Sequence, residues 1–308
     1  MKITLIHDPY HYQKSTGDHI TGKLKESSLK EKNPNNYVPI DLMYASSILK
    51  EMGDSVKLID ANADNLKKEE VLNILKDLNP DLIGLKLIFS TLNISLQWLK
   101  YLKGNLNVPI FVWGPAVSLY SKILIRTSFI DFCLIDPLIK SLPKMKKAIK
   151  RDGLNNLKGI SDINPKRKLV GEKSTRKERN LDKYPWPDRE ITDNQKYEAI
   201  FLKGSPMTLL YSSTGCSYNC KFCSMGKSDY KERDIDDVVD EIEEIIDKQN
   251  IKSIRFYDRN FLSNKEKCIE LCQKIIERDL DFNWDCMARV DEVDEEILSL
   301  MKKAGCQL

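Results

Sequence analysis

The sequence predicts an α/β protein with two domains. Short apolar stretches rich in β-branched residues alternate with stretches whose apolar residues recur at helical spacing. A chain of 308 residues is long enough for two domains, each with its own core. Such alternation is typical of a parallel sheet covered by helices on both faces. We expect a doubly wound, Rossmann- or flavodoxin-like domain at 1–150, a charged linker at 151–206 and a second α/β domain at 207–308.

The first half contains five predicted strands and four predicted helices. The strands are expected at 2–7, 56–60, 81–89, 108–113 and 130–135, and the helices at 38–52, 66–78, 93–102 and up to about 149. Residues 8–37 are polar and predict a long loop. Ligands of such sheets bind beyond the carboxyl ends of the strands, which here carry Asp8, Ser90, Gly114 with Pro115, and Asp136. No Gly-x-Gly-x-x-Gly motif is present, which argues against a dinucleotide.

Composition excludes several classes of protein. The net charge of +3, from 49 basic and 46 acidic residues, gives no reason to expect a nucleic-acid partner. Eight cysteines in a long, charged chain indicate a reducing, cytoplasmic compartment rather than a secreted disulfide framework. No segment approaches the ~18 uninterrupted apolar residues of a membrane span.

Three cysteines lie close together in the second half, at Cys216, Cys220 and Cys223. They follow a predicted strand at 207–211 and precede a predicted helix that starts near 234, so we expect them on a loop. Thiolates are suited to zinc or to iron–sulfur clusters. Structural zinc usually has four protein ligands, and all three histidines of the chain lie within its first nineteen residues. A four-iron cluster with three ligands would leave one iron open; reduced thiols and zinc ligands are the alternatives.

The cysteine spacing, with Phe222 before the last cysteine, resembles the radical S-adenosylmethionine (radical SAM) superfamily. The resemblance implies a 4Fe-4S cluster held by Cys216, Cys220 and Cys223, with S-adenosylmethionine bound at the open iron. In that family the reduced cluster cleaves S-adenosylmethionine to methionine and a 5′-deoxyadenosyl radical. It also implies that Phe222 packs near the adenine, and that an electron donor such as a ferredoxin or flavodoxin is a partner.

The first half resembles the cobalamin-binding domain that precedes many radical SAM cores. The matching segments are Val38-Pro-Ile-Asp-Leu42, Trp113-Gly-Pro-Ala-Val-Ser118 and, in the linker, Leu181-Asp-Lys-Tyr-Pro-Trp-Pro-Asp-Arg189. This resemblance implies cobalamin near Gly114 and Pro115. The chain lacks the Asp-x-His-x-x-Gly motif, and it carries Ile135-Asp-Pro-Leu-Ile139 where relatives have Gly-Glu-Gly-Glu. A domain of the same fold without a cofactor is therefore the alternative.

The second half predicts a partial radical SAM barrel of about three βα units. Further strands are expected at 252–257 and 282–288, helices from about 264 and at 292–304, and the start of a fourth strand at 305–308. Because the resemblance implies six units, we expect a C-terminally truncated protein or one that a second polypeptide completes. Cys268 and Cys272, four residues apart on a predicted helix, are interpreted as core residues.

Three polar residues follow the predicted strands of this half. Asp258 or Asn260 is predicted to accept a hydrogen bond from the ammonium group of S-adenosylmethionine; alternatively, both form a turn and cap the next helix. Arg289 is predicted to meet a carboxylate, or else to pair with Asp291 or Glu292.

Together these features predict a cobalamin-dependent radical SAM enzyme that methylates or rearranges an unactivated centre of an unknown substrate. The first alternative is a radical SAM enzyme without bound cobalamin. The second is a non-catalytic iron–sulfur subunit that needs a partner polypeptide.

Overall fold

The computed structural model describes residues 1–9, 38–135, 137–153, 168–170, 180–198, 202–223 and 228–307. His11, His19 and Asp136 lie outside these ranges. The chain divides into two compact units, Met1–Ser174 and Thr175–Leu308. The narrower domain and linker boundaries expected from the sequence stay predictions.

The first unit is built on a six-stranded parallel sheet. Its strands are β1 (Lys2–His7), β2 (Ser55–Asp60), β3 (Leu82–Lys86), β4 (Ile110–Trp113), β5 (Phe132–Leu134) and β6 (Lys168–Val170). Its helices are α1 (Ile40–Glu51), α2 (Lys68–Leu78), α3 (Leu92–Asn105), α4 (Pro115–Leu124) and α5 (Leu138–Asp152). The strand order is β2-β1-β3-β4-β5-β6, so the chain adds strands on one side of β1 and then on the other, and the strand order switches between β1 and β3. The predicted doubly wound α/β fold is confirmed.

Helices cover both faces of this sheet because successive strand residues point to opposite sides. On one face Ile6, Leu85 and Val112 pack with apolar residues of α2, α3 and α4. Leu5 and Phe111, which point the other way, are also fully buried, and α1 and α5 pack together against β1 and β5. Continuous apolar strands are expected for a sheet buried on both faces.

Two details of the first unit differ from the sequence prediction. The sequence prediction lacks the helix α4, because it assigns Gly114-Pro115 only to the end of a strand. Proline is also favoured at the first position of a helix, and Pro115 holds that position here. The strand predicted to run to Phe89 ends at Lys86, since the following residues turn into α3.

The second unit carries three parallel strands and one antiparallel hairpin. Its strands are β7 (Met207–Leu210), β8 (Ser213–Cys216), β9 (Ser228–Glu232), β10 (Ser253–Phe256) and β11 (Asn283–Asp285), and its helices are α6 (Ile235–Gln249), α7 (Lys265–Glu277) and α8 (Glu295–Lys303). The parallel sheet has the order β11-β10-β7. Trp284 forms a parallel bridge with Cys306, at the position expected for a fourth strand.

Each helix of the second unit starts at a polar residue that satisfies free backbone N–H groups. Asp234 accepts from the N–H of Asp236 at 2.9 Å, and Asp294 accepts from that of Ile297 at 2.9 Å. These caps orient three amphipathic helices whose apolar faces cover Ile254, Phe256 and Trp284 of the sheet. Cys268 and Cys272 are buried in this core.

Residues 180–198 belong to the second unit and consist of short 3-10 turns. Tyr197 is fully buried and its carbonyl accepts from the N–H of Met207 at 3.0 Å. Arg189 is buried and donates to the carbonyl of Leu209 at 3.0 Å. Trp186 donates through its indole N–H to Asp237 at 3.0 Å. The segment is therefore packed structure along β7. Within the described ranges, no helix is both long enough and apolar enough to cross a membrane.

Candidate metal centre

The three clustered cysteines follow the carboxyl end of β7, where the hairpin β8–β9 begins. Cys216 is the last residue of β8, and Cys220 and Cys223 lie in the loop that follows. The N–H of Cys223 donates to the carbonyl of Cys220 at 3.0 Å, which closes a tight turn. The sequence predicted the loop but missed the hairpin, because Ser228–Glu232 is a polar strand. The residues 224–227 lie outside the described ranges.

Gly215 fixes the path of the chain into the first cysteine. Its φ is +79°, a region that favours glycine. A Cβ at this position would lie 1.9 Å from the carbonyl oxygen of Asp229 on the facing strand. The register also shifts between Thr214 and Cys216, so the hairpin bends at this point. Only glycine allows β9 to approach β8 so closely.

The three thiols differ in their surroundings. Cys216 and Cys220 are half-buried, whereas Cys223 is exposed. Among the described residues, no group of three or more His, Cys, Asp or Glu side chains is arranged so that it could hold a metal ion. Phe222 points into solvent, with 93% of its side chain exposed.

Asp258 anchors the chain segment that leads into the hairpin. It follows β10 and is almost fully buried. Its carboxylate accepts from the N–H of Ser212 at 2.9 Å, the hydroxyl of Ser212 at 2.5 Å and that of Ser213 at 2.8 Å. Burial raises the pKa of Asp258, and the serine hydrogen bonds oppose that effect. Asp258 therefore holds β8 against the end of β10; its predicted contact with S-adenosylmethionine stays a prediction.

Asn260 joins the end of β10 to the loop after β11. Its amide donates to Glu292 at 2.7 Å and to the hydroxyl of Ser263 at 3.0 Å, and its oxygen accepts from the N–H of Arg289 at 3.2 Å. The alternative that Asp258 and Asn260 cap the next helix is wrong. Asn264 itself caps α7, accepting from the N–H of Lys267 at 3.3 Å.

Arg289 lies against the cysteine loop. One terminal nitrogen of its guanidinium lies 3.5 Å from the sulfur of Cys220, and the other donates to Asp291 at 2.6 Å. The guanidinium carbon is 4.1 Å from the ring centroid of Tyr218, a cation–π contact. Of the two carboxylates predicted as alternative partners, Asp291 is the one that pairs. The buried Nε of Arg289 has no hydrogen-bond partner among the described residues.

Tyr218 and Glu292 complete this arrangement and were missed as site residues. The Tyr218 hydroxyl donates to Glu292, and this hydrogen bond raises the pKa of Tyr218. The sequence suggests Glu292 only as a partner for Arg289. No sequence signal pairs residues that lie 74 positions apart, because the contact depends on where the loop after β11 meets the cysteine loop.

The first unit has a polar edge at the carboxyl ends of its strands. Asp8 is buried, and the hydroxyl of Ser95 on α3 donates to it. Burial raises the pKa of Asp8. Lys86, at the end of β3, pairs with Asp41 in the first turn of α1. These contacts lie beside the point where the sheet order reverses, which is where such sheets bind ligands.

Gly114 and Pro115 lie at the same edge, after β4. Gly114 has a φ of +110°, and a Cβ there would lie 2.6 Å from the carbonyl oxygen of Leu87. Two partly exposed aromatic side chains contact each other: Phe89, which follows β3, and Tyr120 on α4 have their rings edge-to-face at 6.2 Å. The edge thus combines a tight glycine turn with an exposed aromatic surface.

Family models match both halves of the chain. The radical SAM superfamily model matches residues 210–308, and the B12 binding domain model matches residues 29–137. The chain carries a B12-binding domain and a radical SAM domain. Radical SAM domains use a 4Fe-4S cluster and S-adenosylmethionine, so the expected family and cofactor classes are confirmed.

Curated relatives are 24–28% identical to this chain over the aligned regions. An uncharacterized methyltransferase of Pyrococcus horikoshii is 28% identical over 91% of this chain and 61% of its own length. The anaerobic magnesium-protoporphyrin IX monomethyl ester cyclase of Rubrivivax gelatinosus is 27% identical over 99% of this chain and 54% of its own length. The chain thus spans little more than half the length of these relatives.

Two solved radical SAM enzymes share the fold. The cobalamin-dependent enzyme OxsB, with aqua-cobalamin and S-adenosylmethionine bound, matches with a TM-score of 0.67 and 20% identity over 98% of this chain and 42% of its own. The methyltransferase TsrM from Kitasatospora setae, with cobalamin and a [4Fe-4S] cluster bound, matches with a TM-score of 0.66 and 15% identity over 99% of this chain and 57% of its own. At these identities the likeness concerns the fold.

Proposed function

We propose that this chain forms the cofactor-binding part of a cobalamin-dependent radical SAM methyltransferase. The observation that carries the proposal is the cysteine loop, which follows the first strand of a parallel βα sheet and whose Cys220 contacts the half-buried Arg289. The methyltransferase names of two relatives, from Pyrococcus horikoshii and Streptomyces wedmorensis, favour methyl transfer among the reactions that the domains support.

The donor set of the loop fits a 4Fe-4S cluster. Cys216, Cys220 and Cys223 supply three soft sulfur ligands, and three ligands leave one iron for S-adenosylmethionine. Arg289 supplies a cation beside Cys220 and a buried N–H that lacks an acceptor, both of which suit an anionic cluster. When bound and reduced, the cluster supplies the electron that cleaves S-adenosylmethionine.

The residues around the loop have separate roles in this proposal. Asp258 holds Ser212 and Ser213 and so positions the entry of the loop. Exposed Phe222 is available to stack on the adenine. Asn260 fixes the loop of Arg289, and S-adenosylmethionine binds beside it at the carboxyl ends of β10 and β11.

Cobalamin binds at the carboxyl edge of the first sheet in this proposal. Gly114 and Pro115 turn the chain sharply there, and Phe89 offers an exposed ring to a large, partly apolar ligand. When bound, cobalamin supplies the methyl group. The substrate and an electron donor, such as a ferredoxin or flavodoxin, are the other partners. A cluster with thiolate ligands needs a reducing environment, so we predict a cytoplasmic compartment.

The proposal is tested by anaerobic purification and reconstitution with iron and sulfide. We expect about four irons per chain, cleavage of S-adenosylmethionine to 5′-deoxyadenosine, and a shifted visible spectrum on addition of hydroxocobalamin. Cys216→Ala should lose the iron, whereas the matched control Cys133→Ala, in the core of the first unit, should keep it. Bound zinc, or no iron in the wild type, would refute the cluster. A second polypeptide that completes the barrel stays a prediction, which co-purification would test.

A further inference from the structure

The loop after β11 brings one cation to the cysteine loop. The terminal nitrogen Nη1 of Arg289 is 3.5 Å from the sulfur of Cys220, within the range of an N–H···S hydrogen bond. Among the three cysteines of the loop, Cys220 is the one that this arginine contacts. An arginine stays charged at all physiological pH values, so the contact places a permanent positive charge beside a cluster ligand.

Several contacts hold the Arg289 side chain and backbone in place. Asp291 accepts from Nη2 at 2.6 Å, and the Tyr218 ring lies under the guanidinium at 4.1 Å. Tyr218 is in turn fixed by Glu292, and the backbone N–H of Arg289 donates to Asn260. A side chain with this many partners is oriented before any ligand binds, so its charge acts at a fixed distance from Cys220.

The physical effect of such a cation has a definite sign. Reduction adds one negative charge to an iron–sulfur cluster. A positive charge and a hydrogen bond to a ligand sulfur stabilise the more negative, reduced form and raise the reduction potential. Asp291 offsets part of the charge of Arg289, but it pairs with the nitrogen that does not contact Cys220.

We propose that Arg289 is a positioning residue that sets the reduction potential of the cluster held by Cys216, Cys220 and Cys223. This inference rests on the proposed cluster and goes beyond it, since it assigns Arg289 to a cluster ligand rather than to a substrate carboxylate. The step is the uptake of one electron from a low-potential protein donor by the oxidised cluster. Arg289 makes that electron transfer more favourable without itself being oxidised or reduced.

The test is an anaerobic redox titration of the reconstituted full chain in the absence of S-adenosylmethionine. Electron paramagnetic resonance measures the amount of reduced cluster at each potential. Arg289→Gln should lower the ratio of reduced to oxidised cluster about tenfold at a fixed potential. For a one-electron couple this corresponds to a reduction potential that is about 59 mV lower. Arg289→Lys keeps the charge but loses the planar fork, so its potential should fall between those of Arg289→Gln and the wild type. Arg278→Gln removes an arginine that pairs with Asp240 and Glu243 on the helix surface, and it should leave the potential unchanged.

The outcomes separate this inference from the proposed function. A wild-type chain that binds no iron would refute the cluster itself. A wild-type cluster whose potential equals that of Arg289→Gln would overturn the role of Arg289 and leave the cluster standing. If Arg289→Gln fails to hold iron, the comparison of Arg289→Lys with the wild type decides: a lower potential in the lysine variant supports the inference, and an equal one overturns it.

Discussion

Glu241 is a single buried carboxylate that balances two buried arginines of the second unit. Its two oxygens lie 2.7 Å from Nη1 of Arg189 and 2.6 Å from Nη1 of Arg233. The side chains of all three residues are at most 5% exposed. Arg233 also donates to the carbonyl of Tyr211, just before the cysteine hairpin. The group therefore ties the 180–198 segment and the base of the hairpin to α6.

Replacing Glu241 with glutamine should destabilise the second unit strongly. The variant keeps the shape of the side chain but leaves two desolvated cations without their shared anion. Removing one partner of a buried ion pair typically costs about 3–5 kcal/mol. Arg233 retains Asp237, so we expect a value near the lower end, about 3 kcal/mol. That is a large share of the roughly 5–15 kcal/mol of total stability of a typical domain.

The matched control is Glu244→Gln on the same helix. Glu244 is 39% exposed and pairs with Lys248, which is 69% exposed, so its loss should cost at most about 1 kcal/mol. Because the chain has two units, a single unfolding curve would mix them. Native-state hydrogen exchange of the α6 and β7 amides reports on the second unit alone. If Glu241→Gln and Glu244→Gln differ by less than about 1 kcal/mol, the reasoning about buried charge fails.

Two further predictions concern the hairpin and the first sheet. Gly215→Ala should lower the free energy of unfolding by about 1–3 kcal/mol and reduce the iron content, because its Cβ would clash with the carbonyl of Asp229. Thermal unfolding and iron analysis would check this, and full iron loading would contradict it. Asp8→Asn should remove a pH dependence from the stability of the first unit. The pKa of buried Asp8 in the folded protein is raised above 3.8. The wild type should therefore gain stability relative to the variant as the pH falls through that folded-state pKa towards 3.8. Hydrogen exchange of the β1 amides across that pH range would measure this stability in both proteins. The same change of stability with pH in the wild type and in Asp8→Asn would contradict the prediction.

Local sequence signals were sufficient where an element and its boundaries depend on neighbouring residues. Strand and helix periodicity located β1, α1 and α7, and Asn264 marks the start of α7 because its side chain satisfies a nearby N–H. The helix α8 starts at Glu295 rather than at the predicted 292, since Asp294 is its cap. The predicted start was early because Glu292 is bound to Tyr218 and Asn260 instead.

The parts that escaped prediction depend on contacts between distant segments. The strand β9 has no apolar alternation, and it forms because Gly215 lets it approach β8 closely. The contact of Arg289 with Cys220 joins residues that lie 69 positions apart. The cysteine spacing could be identified from the sequence, but the charged side chains that surround the loop are fixed only when the loops after β10 and β11 meet it.

The segment 180–198 has a practical consequence for any separate study of the radical SAM domain. The strand β7 lies at the edge of its sheet, and Tyr197 and Arg189 occupy its outer backbone groups. A fragment that begins where the family model begins, at residue 210, would lose both this cover and most of β7. Uncovered strand edges pair with other chains and aggregate. A fragment for expression should therefore begin before Asn180, so that the edge stays covered.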